Sequence, residues 1–158
     1  MNAQFEEIIR KFPDNMEILL RKTPVSPDEL TEKILRGIYV FYENGTAIYV
    51  GRSRNITQRF RQHQQQSSDH HSATFAFLIA KMDAAKAGVN LQNKSGKNIT
   101  RDELQKYPPF KQYFSDAKRR VAMMKVQVIG IDDPVEQTLF EVYAALKLKT
   151  KYNTWDTH

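Results

Sequence analysis

Residues 37–51 read Gly-Ile-Tyr-Val-Phe-Tyr-Glu-Asn-Gly-Thr-Ala-Ile-Tyr-Val-Gly, two β-branched and aromatic runs around an Asn-Gly pair. Such side chains fit a pleated, half-buried surface, and Asn-Gly supplies the left-handed backbone of a tight turn. The stretch predicts a β-hairpin, which commits the chain to a sheet. Loop length matters here, because side chains alternate faces along a strand and a one-residue slip moves every one of them. A two-residue loop, Asn44-Gly45, pairs Tyr39 with Val50 and sends Tyr39 and Tyr49 to opposite faces. A three-residue loop, Glu43-Asn44-Gly45 with Gly45 in a bulge, pairs Tyr39 with Tyr49 and sets two phenols side by side. The three-residue loop is the expectation.

Behind the hairpin, Asn55 is a good N-cap with Gln58 three residues on, so a helix is predicted through Ile56 and Phe60 to the Gln64–Gln66 tract. Arg59 and His63 stand four apart on it, one turn above each other on one face.

This ordered set resembles the GIY-YIG nuclease superfamily. Gly37-Ile38-Tyr39 and Tyr49-Val50-Gly51 correspond to its two signature tripeptides, with Val50 in place of isoleucine, and Ser53, Arg59 and His63 follow. The resemblance implies a phosphodiester hydrolase in which Tyr39, Tyr49, Arg59 and His63 are catalytic.

The rest of the composition agrees with such a reading. At 158 residues, 41% hydrophobic and 27% charged, the chain is expected to be one domain able to bury its own core. It has no cysteine, which excludes disulfides, thiolate metal sites and cysteine nucleophiles. No apolar run has the length of a membrane span, and the first ten residues lack a secretory layout, so a cytoplasmic protein is expected. The net charge of +6 and a pI near 9.5 suit a polyanionic partner, here DNA. Arg52, Arg54 and Arg61 cluster with Arg59 around the second tripeptide and are assigned to phosphate contact. Lys118-Arg119-Arg120 and Lys147, Lys149 and Lys151 are further basic groups, each equally readable as a solvated face.

Residues 1–34 read as a helical extension: Phe5, Ile8, Ile9 and Phe12 at helical spacing, a stop at Pro13-Asp14, and a short helix opened by Ser26-Pro27-Asp28-Glu29. The nuclease domain is placed at 35–158. Within it Ser67–Ser72 is a polar loop; His70 and His71 are adjacent, so their side chains should diverge, and no third ligand is evident, which favours a surface loop over a metal site. Phe75, Leu78, Ile79 and Met82 mark the buried stripe of a helix ending at Gly88. An insertion spans about 89–117, with an exposed loop carrying Lys94 and Lys97 as candidate DNA contacts, a helix capped by Thr100 and Glu103, and a break at Pro108-Pro109. Arg120–Ile131 is the third strand, and Asp133-Pro134-Val135-Glu136 opens a last helix whose buried stripe is Val135, Leu139, Val142, Tyr143 and Leu146.

Two glutamates on that helix, Glu136 and Glu141, could hold a metal, and the residues alone leave the choice open. Glu136 already sits at a capping position. The resemblance selects Glu141, by its interval to Tyr152-Asn153, and implies that Asn153 supports the site through hydrogen bonds. It further implies one divalent ion, Mg2+ or Mn2+, on Glu141. A single carboxylate suffices for such an ion, which keeps several waters and takes phosphate oxygens. Tyr39 is then the candidate general base. Its unperturbed phenol costs about 4 kcal/mol to deprotonate at neutral pH, so nearby cationic charge must offset most of that. The implied fold is α/β, a small three-stranded, mainly antiparallel sheet sandwiched by helices. A restriction-type or a structure-selective endonuclease fits, as a monomer or a homodimer, and the other reading is a non-catalytic nucleic-acid-binding module on the same fold.

Overall fold

In a computed structural model that describes residues 2–30, 36–93 and 95–155, the hairpin forms β1 (Gly37–Glu43) and β2 (Thr46–Ser53). Its loop differs from expectation. Asn44 and Gly45 take φ of 50° and 77°, both left-handed, so the turn has two residues and not three. The register then shifts between Phe41 and Tyr42, where Ile48 enters β2 as an extra residue. The bulge restores the face parity that the short loop changes. Tyr39 therefore faces Gly51, Phe41 faces Tyr49, and the two phenols are diagonal neighbours on one face.

β3 (Lys125–Gly130) pairs antiparallel with β1, giving a three-stranded sheet in the order β2-β1-β3. This is the α/β architecture expected. β3 is shorter than the strand predicted from Arg120, because Phe110, Phe114, Ala117 and Val121 form a helical stripe that carries a helix to Ala122.

The chain divides into two compact units, Met1–Arg59 with Met124–His158, and Phe60–Met123. In the first, α1 (Ala3–Arg10), α2 (Phe12–Arg21) and α7 (Pro134–Leu148) supply a core with the sheet: Ile8, Phe12, Met16 and Leu19 cluster with Ile38, Val40, Val50, Ile129, Phe140 and Ala144. Asn2 caps α1 by accepting from the amides of Gln4 and Phe5. Pro13 does more than end that helix: it falls in the first turn of α2, where its missing N–H leaves no bond unmade. The predicted Ser26–Glu29 capping box is present over a single 3₁₀ turn, Pro27–Glu29.

α7 starts as expected, with Asp133 Oδ1 accepting from the Glu136 amide at 2.7 Å. Its buried face is rotated from the predicted stripe. Val135 and Leu146 are exposed, and the inner face is Glu136, Gln137, Phe140, Ala144 and Ala145. Glu136 turns inward because Lys11 Nζ and Asn15 Nδ2 donate to it at 3.1 and 2.9 Å, and Gln137 donates to the Ile131 carbonyl. Phe140, fully buried between them, is worth roughly 2–3 kcal/mol relative to an exposed ring.

The second unit is helical. α4 (Thr74–Lys86) buries Phe75, Ala76, Phe77, Ile79, Ala80 and Ala84, a wider face than predicted, with Leu78 and Met82 only half-buried. It ends at Gly88 (φ 78°), with Val89 N–H bonded back to Ala84 O. α5 (Arg101–Lys106) has the Thr100–Glu103 capping box, and Pro108-Pro109 opens α6 (Pro108–Ala122). Phe77, Phe110 and Phe114 pack ring on ring at 5.1–6.2 Å. The basic run on α6 is engaged within this unit: Lys118 is buried and donates to the carbonyls of Gln66 and Ser68, Arg119 pairs with Asp116, and Arg120 with Asp83. No helix among the described residues is long and apolar enough to cross a membrane.

Candidate active site

Gly51 makes the site's first contact possible. A Cβ built there falls 2.4 Å from both Cζ and Oη of Tyr39, so only a residue without a side chain lets the Tyr39 ring lie across β2. Gly37 is equally constrained, since a Cβ there meets Ile129 O at 1.9 Å. The two glycines of the tripeptides thus shape the sheet around the phenol. Tyr39 is 1% exposed, and its ring centroid lies 6.4 Å from that of Tyr49 and 5.7 Å from that of Phe41.

α3 (Ile56–Gln64) is capped as predicted, Asn55 Oδ1 accepting from Gln58 N at 3.0 Å. Its first turn brings Arg59 to Tyr39, where Nε donates to Oη at 3.4 Å. Burial nevertheless wins at this phenol. Desolvation raises the Tyr39 pKa above the usual tyrosine value, the Arg59 charge and hydrogen bond oppose it, and the Glu141 charge adds to it. Tyr49 is raised for the same first reason, with help from Tyr39 and Glu141. Arg59 thus lowers the phenol's cost of ionisation without cancelling the cost of burial.

Glu141 projects from the middle of α7, with 18% of its side chain exposed. Among the described residues its one hydrogen-bond partner is Arg52, whose Nε donates to Oε2 at 2.9 Å. Burial raises the Glu141 pKa, opposed by Arg52 first and Arg59 after it. Arg52, a candidate phosphate contact, is also the partner of this carboxylate. Arg54 is exposed, and Arg36, Arg52 and Arg54 line a pocket of about 190 Å³ with Asp132 and Gln137. The structure thus brings Tyr39, Tyr49, Arg59, Glu141 and Arg52 together within the first unit.

Asn153 stands at the outer edge of β2. Its Nδ2 donates to Val50 O and its Oδ1 accepts from Val50 N, both at 2.8 Å, so one side-chain amide takes the place of a fourth strand. Thr150 Oγ1 donates to the same Oδ1 at 2.8 Å, and Tyr152 N–H bonds to Ile48 O. The chain reaches that edge because Lys149 ends α7 in a left-handed conformation, φ 53°. Asn153 thereby ties the chain after α7 to the strand that carries Tyr49.

Three further sequence-derived residues fall in the second unit. His63 and Arg61 lie on α3 within the second unit, where His63 is fully buried with its ring edge-on to Phe75 at 6.2 Å, and Arg61 is exposed. Lys97 is exposed in the loop that Gln92 and Asn98 close; Lys94 lies outside the described residues. Arg52 as the partner of Glu141 had no local signal in the sequence, since the two are 89 residues apart.

The donor set at Glu141 is oxygen-only, a carboxylate with two phenols nearby, and it fits a hard divalent cation that keeps most of its waters. The chain matches no curated protein and no solved structure. The family model of the GIY-YIG catalytic domain matches residues 36–153, most of the chain, and the protein belongs to that family of nuclease-type enzymes.

Proposed function

We propose that this protein is a divalent-metal-dependent DNA endonuclease, restriction-type or structure-selective, that hydrolyses a phosphodiester bond at the Tyr39–Arg59–Glu141 cluster. The observation that carries the reading is the buried Tyr39 phenol held within hydrogen-bond reach of Arg59, with the Glu141 charge felt by both. A water attacks phosphorus as its proton passes to the Tyr39 phenolate, the bond to the leaving sugar oxygen breaks, and that oxygen takes a proton from solvent. Arg59 donates to a non-bridging phosphate oxygen. Tyr49, packed against Tyr39, holds that ring in place. The pocket of Arg36, Arg52 and Arg54 supports a neighbouring phosphate contact. Glu141 is the ligand for Mg2+ or Mn2+, which when bound supplies positive charge against the developing phosphate charge.

The direction of the phenol's shift is part of this proposal. A tyrosine base raised by burial is protonated at neutral pH until added positive charge stabilises its anion. Substrate-free protein without metal is thus held in a resting state. The test is incubation of supercoiled plasmid and a branched DNA with the purified chain, under Mg2+, Mn2+ or chelator, beside Glu141→Ala. Cutting by the wild type alone, and only with metal, is expected; which DNA is cut separates the restriction-type from the structure-selective reading. Cleavage that survives Glu141→Ala, or a protein that binds both DNAs and cuts neither under any metal, overturns it.

A further inference from the structure

In the second unit, two histidines that should diverge do not. The His70 and His71 rings lie 3.9 Å apart, and both Nε2 atoms face Oδ1 of Asp102, at 3.4 and 3.9 Å. The three ligand atoms lie within 4.8 Å of one another. Asp69 shapes the loop that makes this possible, Oδ1 accepting from the amides of His71 and Ser72 at 3.0 and 2.9 Å. α5 supplies Asp102 from its first turn.

His70 is the fixed wall of the cluster. It is buried, packs against Phe77, and both its amide and its Nδ1 lie 2.8 Å from Oε1 of Gln105. An amide oxygen only accepts, so Nδ1 carries a proton and, in the neutral ring, Nε2 presents a bare lone pair. That lone pair faces a carboxylate oxygen. Two acceptors in this position repel unless a cation lies between them, either a proton or a metal. A metal ion satisfies all three groups at once.

We propose that His70 Nε2, His71 Nε2 and Asp102 Oδ1 form a binding site for a zinc-class divalent ion, with Gln105 orienting His70 from behind and water completing the shell. Two imidazoles and a carboxylate are the donor set of such an ion, and ligand atoms around a tetrahedral zinc stand roughly 3.3 Å apart, close to the 3.4 and 3.9 Å from the two Nε2 atoms to Asp102 Oδ1. The orienting hydrogen bond on the far ring nitrogen is the usual companion of a ligating histidine. The ion joins the 65–73 loop to α5 in the second unit. It is chemically distinct from the oxygen-only set at Glu141 and does not depend on the nuclease reading.

The test is titration of the untagged chain with Zn2+ against a chromophoric chelator, with thermal unfolding followed in parallel. The wild type is expected to take up one Zn2+ that His71→Ala and Asp102→Asn each lose, both being exposed positions whose replacement leaves the fold intact by circular dichroism. Gln105→Leu should weaken that affinity about 10- to 100-fold while keeping the stoichiometry. Zn2+ should raise the Tm of the wild type and of Glu141→Ala, but not of His71→Ala. Zinc held equally by the wild type, His71→Ala and Asp102→Asn overturns the site, as does no uptake by the wild type. Loss of uptake in Glu141→Ala alone assigns the ion to the nuclease cluster and also overturns it.

Discussion

The first turn of α7 and its middle carry the same side chain in opposite circumstances. Glu136 is buried with two dedicated donors, Lys11 and Asn15, brought from the junction of α1 and α2 and from α2 across more than a hundred residues of sequence. Glu141, one and a half turns on, is also withdrawn from water, yet Arg52 is its single hydrogen-bond partner among the described residues, and it faces two protonated phenols. One carboxylate is satisfied by the fold. The other is held at a cost, and a charged group kept where burial disfavours it is a mark of a functional site more than of a structural one. The two positions therefore separate stability from chemistry on one helix.

The sharpest way to break that contrast is to exchange carboxylate for amide at both positions. Glu141→Gln removes the charge while keeping the shape, and the cleavage rate should fall by about 10³-fold or more, on the scale of losing one electrostatic element of a phosphoryl-transfer site. Glu136→Gln should leave cleavage within about twofold of the wild type, because the amide oxygen still accepts from one of its two donors and the loss of the other falls on stability. Single-turnover rates with excess enzyme measure both. A similar loss at the two positions would show that α7 acts as a scaffold and that Glu141 has no chemical part.

Stability should show the reverse order. Glu136→Ala strands the Asn15 amide against a cavity, and Tm should drop by about 5 °C, a typical response to a buried hydrogen-bonded group removed from a chain of this size. Differential scanning calorimetry at one pH checks it. A drop smaller than that of Glu141→Ala would overturn the assignment of structure to one glutamate and chemistry to the other.

This contrast marks where the sequence was readable. Hairpin, sheet class and helix starts at Asn55, Thr100 and Asp133 all follow from local signals: turn residues, caps and alternation. What could not be read is non-local. The inner face of α7 was misplaced because Glu136 and Gln137 are polar, and only Lys11, Asn15 and the Ile131 carbonyl make their burial tolerable. The bulge at Ile48 is equally invisible along the strand, since Val, Ile and Tyr alternate as well with it as without. β3 was extended backward into α6 because Val121 and Met124 suit either period. His70 and His71 were expected to diverge; the Asp69 turn that aligns them is local, but Gln105 and Asp102, which complete the cluster, come from a separate helix.

A smaller effect sharpens the contrast from the side of Arg52. Its guanidinium occupies Glu141 Oε2, so a metal ion binding there meets a resident cation. Arg52→Ala removes that competitor. With Arg52 about half exposed to solvent, the interaction is worth on the order of 1 kcal/mol, and Mn2+ affinity in the absence of DNA should tighten roughly fivefold. Electron paramagnetic resonance of free Mn2+ measures it. Weaker Mn2+ binding would mean that Arg52 orients the carboxylate and does not compete for it.

The smallest effect concerns the cost of keeping Glu141 charged. Burial raises its pKa in the folded state above that in the unfolded chain, so between the two values the folded protein holds the extra proton. Stability then falls as pH rises through that window, and the penalty is complete above the folded pKa. Glutamine does not titrate, so Glu141→Gln escapes the penalty. The Tm difference between Glu141→Gln and wild type should be near zero below about pH 4, where both side chains are neutral, and positive at pH 7 to 8. Thermal melts across that range in metal-free buffer decide it. The Arg52 bond works against the gain, because it stabilises the carboxylate more than the amide; a negative difference at pH 7 would show that the ion pair outweighs burial and that Glu141, like Glu136, is satisfied by the fold.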